Sequence, residues 1–275
     1  MSGILYVTGT PIGNLGDFSP RAAETLESVD FIAAEDTRVT LKLLNHFGIK
    51  KSMISYFEHN KKEHGELIVQ RILAGENGAI VTDAGMPAIS DPGEDLVRLC
   101  HDRGVEVESV PGPCAFSTAL ALSGFPSGRF TFEGFLSVNK PSRREHLLSL
   151  EKETRTMLFY EAPHKLSATL RDMNKVFGNR EIAIVREITK IHEEVIRTTL
   201  DEAVEKYADG SIKGEIVLVI KGAESEKAED KMTLDQAIEC ARHSVESGMS
   251  VSEAAKQAAK LSGYKKGDIY KALLD

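Results

Sequence analysis

Short apolar runs alternating with amphipathic helical stretches constrain this chain more than any other feature. Runs at 4–8, 31–34, 78–82 and 105–110 read as strands. Between them, 21–28, 40–47, 62–74 and 93–103 carry apolar residues at helical spacing. Strands joined through helices lie largely parallel, with right-handed crossovers. Residues 1–122 are therefore predicted to form one α/β domain. After Pro126 the texture changes: strands rich in Val, Ile, Thr and aromatics are expected at 130–136, 156–161, 181–187, 194–199 and 215–221. Helices fall only near 142–151, 163–176 and 200–207. This predicts a second α/β domain with a mixed sheet over 123–222. Residues 223–231 hold no large apolar side chain and are expected to be a linker.

The remaining stretch, 232–275, reads as three short helices. Thr233 can cap the first and Gly248 close it, Ser250-Val251-Ser252-Glu253 has the form of a capping box for the second, and Gly263 ends that one. The pattern fits a helix-turn-helix-like module or a plain helical cap. Five lysines in its last two helices tip it towards nucleic acid.

The composition of the 275 residues, 41% hydrophobic and 28% charged, is that of a globular protein. No apolar run reaches the length of a membrane span, and the chain enters a strand at once without a signal-like segment, so the expected location is cytoplasmic. Cys100, Cys114 and Cys240 are far apart and lack metal-ligand spacing, which argues against a disulfide framework or a zinc site. A net charge of −8 argues against indiscriminate binding to polyanions. Local basic clusters remain, among them Lys140, Arg143 and Arg144, and Lys265 and Lys266, although most such clusters are solvated surface.

Chemistry concentrates in the loops after the strands. The first, Thr8-Gly9-Thr10-Pro11-Ile12-Gly13-Asn14-Leu15-Gly16-Asp17, is glycine-rich but has neither dinucleotide-fingerprint nor P-loop spacing. The second, residues 81–93, holds Asp83, Gly85, Pro87, Ser90, Asp91 and Pro92 directly after a strand, where open α/β sheets place ligands. A strand-to-helix turn with Asp91 as N-cap and Pro92 at the first helical position would explain its end but not Asp83 to Pro87. A ligand loop followed by a capped helix is therefore expected. The third, Val110-Pro111-Gly112-Pro113-Cys114-Ala115, opens a helix of small residues that would admit a ligand close to backbone N–H groups, or simply pack tightly on a sheet. No neighbouring His supports Cys114 as a nucleophile.

Together with Glu35-Asp36-Thr37-Arg38 and Phe159-Tyr160-Glu161, these loops closely resemble the bacterial small-subunit (16S) ribosomal RNA (cytidine-2′-O)-methyltransferases, a branch of the tetrapyrrole methylase superfamily. The resemblance covers residues 3 to about 222. It implies two α/β domains of tetrapyrrole methylase type and S-adenosylmethionine held between them. Carried over by motif, the cofactor contacts would be Pro11, Asp83, Gly85, Pro87, Ser90, Cys114, Ala115, Phe159, Tyr160, Ala162, Arg186 and Glu215. Met86 stands where a small or hydroxylated residue is usual and is expected to point away. The family also implies a homodimer and a cytidine in the decoding region as target.

Methyl transfer to a ribose hydroxyl requires in-line placement and removal of a proton from a weak acid. Arg38 and Lys190 are the candidate cations for phosphate or alkoxide, and Glu35 or Glu187 the orienting carboxylates. His59, Asn60, Lys140, Arg143, Arg144, Lys265 and Lys266 are candidates for RNA contact. Two other functions stay open at this point: methylation of a tetrapyrrole or another small molecule, and a nucleic-acid-binding regulator that senses S-adenosylmethionine.

Overall fold

A computed structural model describes residues 2–210, 212–224 and 232–274. The chain divides into two compact units, Met1–Ala223 and Glu224–Asp275. The first unit opens with β1 (Ile4–Thr8), α1 (Pro20–Ser28), β2 (Phe31–Ala34), α2 (Thr37–His46), β3 (Ser52–Ser55), α3 (Lys61–Leu73), β4 (Gly78–Val81), α4 (Gly93–Asp102) and β5 (Glu106–Val110). These strands form an all-parallel sheet in the order β3-β2-β4-β1-β5.

Every residue of β2 and β4 is buried, as expected of a parallel sheet covered on both faces. Alternation decides which face each side chain joins. Phe31 and Ala33 pack with Leu5, Ile68, Ile72 and Leu96, whereas Ile32 and Ala34 pack with Leu26, Leu44 and Val81. The strand β3, absent from the sequence-based prediction, is an edge strand of sequence Ser-Met-Ile-Ser whose residues are only partly buried. Nothing in its composition marks it apart from its pairing with β2.

The neighbours β1 and β4 send their connections in opposite directions along the sheet, β1 towards β2 and β4 towards β5. Such a reversal opens a crevice at the carboxyl ends of the two strands. The glycine-rich loop and the 81–93 loop both start there.

Helix α5 (Ala115–Ser123) ends at Gly124 in the left-handed region. It lies within the stretch predicted as the first domain but packs on the second sheet, where Ala119 and Leu120 meet Leu158, Val185 and Val217. The rest of this unit is β6 (Phe130–Phe135), α6 (Lys140–Ser149), β7 (Thr156–Glu161), α7 (Leu166–Phe177), β8 (Glu181–Arg186), β9 (Glu194–Thr199), α8 (Leu200–Lys206) and β10 (Ile216–Ile220). The sheet order is β6-β7-β10-β8-β9, parallel only between β6 and β7, so the sheet is mixed as expected. One face, with Met157, Phe159 and Leu218, is covered by α6, α7 and α8, and the other by α5 and by Ile12 from the first loop.

In the second unit α9 (Leu234–Glu246), α10 (Val251–Ser262) and α11 (Lys266–Leu274) pack around alanines 237, 241, 254, 255 and 258 and Ile269. The complete capping box lies at Thr233 and Gln236. At Ser250 only half of the expected box forms, because the Glu253 carboxylate accepts from the Ser250 hydroxyl at 2.7 Å and the backbone N–H of Ser250 takes no part. Of the expected linker 223–231, residues 225–231 lie outside the described residues.

Candidate functional site

Backbone geometry comes first. The loop after β1 and the loop after β4 are joined by an antiparallel bridge, Thr10 N–H to Gly85 carbonyl at 2.9 Å and Gly85 N–H to Thr10 carbonyl at 3.2 Å. Beyond it the second loop turns through Ala88 (φ 66°) and Ser90 (φ 65°), both in the left-handed region. Such residues persist only where surroundings over-determine them. Here Asp91 does so: its carboxylate accepts from the N–H groups of Ala88 (3.0 Å), Ile89 (3.2 Å) and Gly93 (2.7 Å). Asp91 is thus a loop clamp and not the expected N-cap: that position falls to Pro92, and α4 begins at Gly93, where its apolar spacing places it and one residue after the Pro92 start that an Asp91 cap would give. Burial pushes the Asp91 carboxyl pKa up against the pull of these three donors.

A cavity of about 370 Å³ opens beside this loop. From the first sheet and its loops it is lined by Ile12, Glu35, Thr82, Ala84, Gly85, Met86, Ile89, Ser90 and Asp91. Cys114 and Ala115 at the start of α5 contribute next, then Phe135, Tyr160, Glu161, Ala162, Pro163, Ile188, Glu215, Ile216 and Val217. Its walls are mainly apolar, with four carboxylates among them. Such a site suits a ligand that combines a planar or apolar part with positive charge.

Of the residues expected to meet a cofactor, Gly85, Ser90, Cys114, Ala115, Tyr160, Ala162 and Glu215 line this cavity. Met86 is also on this wall, while its side chain packs against the core of the first sheet and its sulfur takes the Gly112 N–H at 3.2 Å. Pro11 and Asp83 stand elsewhere, on a second cavity of about 350 Å³ shared with Thr10, Gly13, Val39 and Lys42. Thr82 lines both cavities. The Phe159 side chain is buried in the core on the opposite face of the sheet. Pro87 is on the wall of neither cavity, and nor is Arg186, which is held by Glu194 (2.7 Å) and the Lys213 carbonyl (3.1 Å).

The four candidate catalytic side chains do not converge on one point. Glu35 lines the first cavity and accepts from the Thr82 hydroxyl at 2.6 Å. Arg38 lies in solvent, its side chain 87% exposed, and grips Asp36, whose pKa it lowers to about 2. Asp83 accepts the Asp36 N–H at 3.1 Å, and burial, reinforced by nearby Glu35, raises its pKa. Across the site the Lys190 ammonium bridges Glu187 (3.0 Å) and Glu215 (3.1 Å). Burial works against its charge, but the two carboxylates outweigh that and raise its pKa, while Lys190 holds the Glu187 carboxyl below its usual range. Glu187 and Thr189, at φ 51° and 67°, mark this as a strained loop.

Among the residues expected to touch RNA, two serve the framework. Arg143 is 8% exposed, with its guanidinium on Asp172 (2.6 Å) and the Ser137 carbonyl (3.3 Å). The Asn60 amide closes its own loop through the Ser55 carbonyl (3.0 Å) and the Phe57 N–H (2.8 Å). His59, Lys140 and Arg144 are exposed, as are Lys265 and Lys266 in the second unit. Sequence reasoning did not find Ile12, Phe135, Glu161, Ile188 or Val217. All but Ile12 sit in or beside strands of the second sheet, where they look like ordinary strand residues. Among the described residues no group of three or more His, Cys, Asp or Glu is placed to hold a metal ion, and no helix is long and apolar enough to cross a membrane.

A family model described as Tetrapyrrole (Corrin/Porphyrin) Methylases matches residues 4–204. A Synechocystis protein named Ribosomal RNA small subunit methyltransferase I is 43% identical, over 99% of this chain and 98% of its own. A Thermotoga maritima protein of the same name is 48% identical, covering 81% of this chain and all of its own length. Among solved structures, the uroporphyrin-III C-methyltransferase of Thermus thermophilus complexed with S-adenosylhomocysteine is similar in fold. Its TM-score is 0.56 at 18% identity, over 80% of this chain and 97% of that one. Diphthine synthase aligns with a TM-score of 0.60 at 13% identity, over 80% and 90%.

Proposed function

The chain belongs to the tetrapyrrole methylase family, and within it we propose that it methylates small-subunit (16S) ribosomal RNA from S-adenosylmethionine, at the ribose 2′-hydroxyl of a cytidine in the decoding region. The observation that carries this reading is the 43% identity, over nearly the whole of both chains, to a protein named for methylating that RNA. In this reading it works as a homodimer on the small ribosomal subunit in the cytoplasm.

The first cavity fits the cofactor. Its volume of about 370 Å³ falls in the range of small-molecule sites. When bound, S-adenosylmethionine supplies a methyl group already activated on a sulfonium. Tyr160, Ile188 and Val217 offer apolar wall for its adenosine, and the N-terminus of α5 at Ala115, which no side chain caps, turns backbone N–H groups towards its carboxylate. The carboxylates of Asp91, Glu161 and Glu215 favour its positive charges.

What remains for the protein is placement of the acceptor and management of one proton. Glu35, on the wall and anchored by Thr82, is the side chain we assign to receive that proton. Lys190, kept charged and aimed by Glu187 and Glu215, supplies positive charge for the developing alkoxide or a neighbouring phosphate.

The test is to incubate the protein and radiolabelled S-adenosylmethionine with small ribosomal subunits lacking their own modification, then map the label by nuclease digestion and mass spectrometry. Label on the ribose of one decoding-region cytidine is the expected result. Label on a base or another nucleotide would correct the position, and cofactor binding without labelled RNA would point to a small-molecule acceptor.

A further inference from the structure

The edge strand β6 carries one residue more than its partner. Phe132 pairs with Leu158 and Phe135 with Tyr160, so Glu133 and Gly134 together stand opposite Phe159. In a regular strand, residues 132 and 135 would face opposite sides of the sheet. The bulge brings Phe135 back to the face of Phe132 and Tyr160, whose ring centroids lie 4.9 Å apart, with Phe135 5.3 Å from Tyr160. Gly134 permits this at φ 63°, in the left-handed region that other residues avoid. The following residue, Leu136, then falls into the core on the opposite face with Met157 and Phe159.

The bulge therefore places an aromatic ring on the wall of the first cavity. That ring is 59% exposed, whereas Phe132 and Tyr160 behind it are half-buried. Across from it stands the 88–91 loop, close enough that a side chain at 134 would meet the Ser90 hydroxyl. The ring rests on Tyr160 and leaves much of its surface to whatever enters the cavity mouth.

We propose that Phe135 is the stacking platform for the nucleobase of the RNA acceptor; this rests on the ribosomal RNA reading above. The deeper wall already has Tyr160, Ile188, Ile216 and Val217 to cover an apolar ligand, so the open face of Phe135 is covered by a group arriving from solvent. A nucleotide whose ribose must reach the cavity has to leave its own stack, and proteins that read splayed-out bases stack them on aromatic rings. A ring fixed by a bulge and a neighbouring tyrosine is already in position, so little order is lost when the base arrives.

The chain contains no tryptophan, so Phe135→Trp in the full-length protein creates a single indole reporter at the site. The variant is first saturated with S-adenosylhomocysteine, and protein-free small-subunit ribosomal RNA is then added. The expected result is a further change in emission on adding RNA. In parallel, Phe135→Leu raises KM for RNA about tenfold, as loss of one stacked base requires, with S-adenosylhomocysteine affinity unchanged and Phe135→Tyr restoring KM. If the cofactor product alone changes the emission, RNA adds nothing, and Phe135→Leu weakens cofactor binding, the ring stacks on adenine and the proposal falls. An unchanged KM in Phe135→Leu also overturns it. The fluorescence arm needs no methyl transfer: an indole that responds to RNA in a protein that labels none would refute the reaction and leave the platform standing.

Discussion

The Thr82 hydroxyl donates a 2.6 Å hydrogen bond to the Glu35 carboxylate, joining the carboxyl ends of two neighbouring strands at the wall of the cavity. A charge-assisted bond of this kind orients as well as stabilises its carboxylate. Glu35→Gln keeps the shape but cannot take a proton, and is expected to lower kcat by about a hundredfold or more, the contribution typical of a general base. Thr82→Val releases the carboxylate without removing it and should produce a smaller loss. Binding of S-adenosylhomocysteine, measured by calorimetry, is expected to stay near wild type in both. A parallel loss of cofactor affinity would reassign Glu35 to binding.

Asp36 and Arg38 give a prediction in pH. The Arg38 side-chain hydrogen bonds hold the Asp36 carboxyl at about 2, so this pair stabilises the fold above the unfolded-chain value of about 3.9. That stabilisation is lost as the pH falls through about 2. Arg38 lies in solvent and Asp36 is part-exposed at the surface, so the effect on stability is small. Carboxyl chemical shifts followed by NMR in Arg38→Gln should show Asp36 titrating close to its ordinary value. An Asp36 curve unchanged from wild type would show that the backbone N–H groups, not the guanidinium, depress it.

Most of the first sheet is legible in the sequence because its central strands β2 and β4 are buried on both faces and the helices that cover it are amphipathic. The exceptions have physical causes. Ser52–Ser55 carries little apolar signal at the sheet edge, and α2 starts three residues earlier than its apolar spacing suggests because the Asp36 carboxylate caps it. In the site, Gly85, Ser90, Cys114 and Ala115 were recoverable from loops that leave neighbouring strands. Asp83 and Asp91 look equivalent in sequence, yet they line different cavities, with the Thr10–Gly85 bridge on the same loop between them. Arg143 looks like a surface cation until the fold supplies Asp172, twenty-nine residues away. Phe135 was hidden because a bulge breaks the period of two on which strand reading depends.

Gly13, at φ 151°, lies against Lys190: a β-carbon there would come within 2.6 Å of the Lys190 Cγ. The contact ties the first loop to the strained loop after β8. Gly13→Ala therefore meets an unfavourable backbone and a clash together, and is expected to cost about 1–3 kcal/mol of stability. Shortening the obstacle should relieve part of this, so Gly13→Ala with Lys190→Ala should be less destabilised than the sum of the singles by about 0.5 kcal/mol or more. Denaturant melts of the four proteins provide the cycle. Additive effects would mean that the two loops do not press on one another.

The second unit, Glu224–Asp275, has its own alanine core and its own caps, and its last two helices with the turn between them expose Lys256, Lys260, Lys265, Lys266 and Lys271. The Thermotoga maritima relative is matched over its whole length by 81% of this chain, so a protein of that name is complete without an equivalent of every residue here. We propose accordingly that these lysines contribute RNA affinity and not chemistry. Ending the chain after Ala223 should leave S-adenosylhomocysteine affinity intact and weaken binding to small-subunit RNA. Neutralising phosphate contacts releases counterions, so removing Z of them should flatten the dependence of log K on log salt by about 0.7–0.9 Z. Binding titrations at several salt concentrations measure both affinity and slope. A truncated protein that binds RNA with unchanged slope would assign this unit to packing alone, and one that also loses cofactor affinity would make it part of the methylase fold.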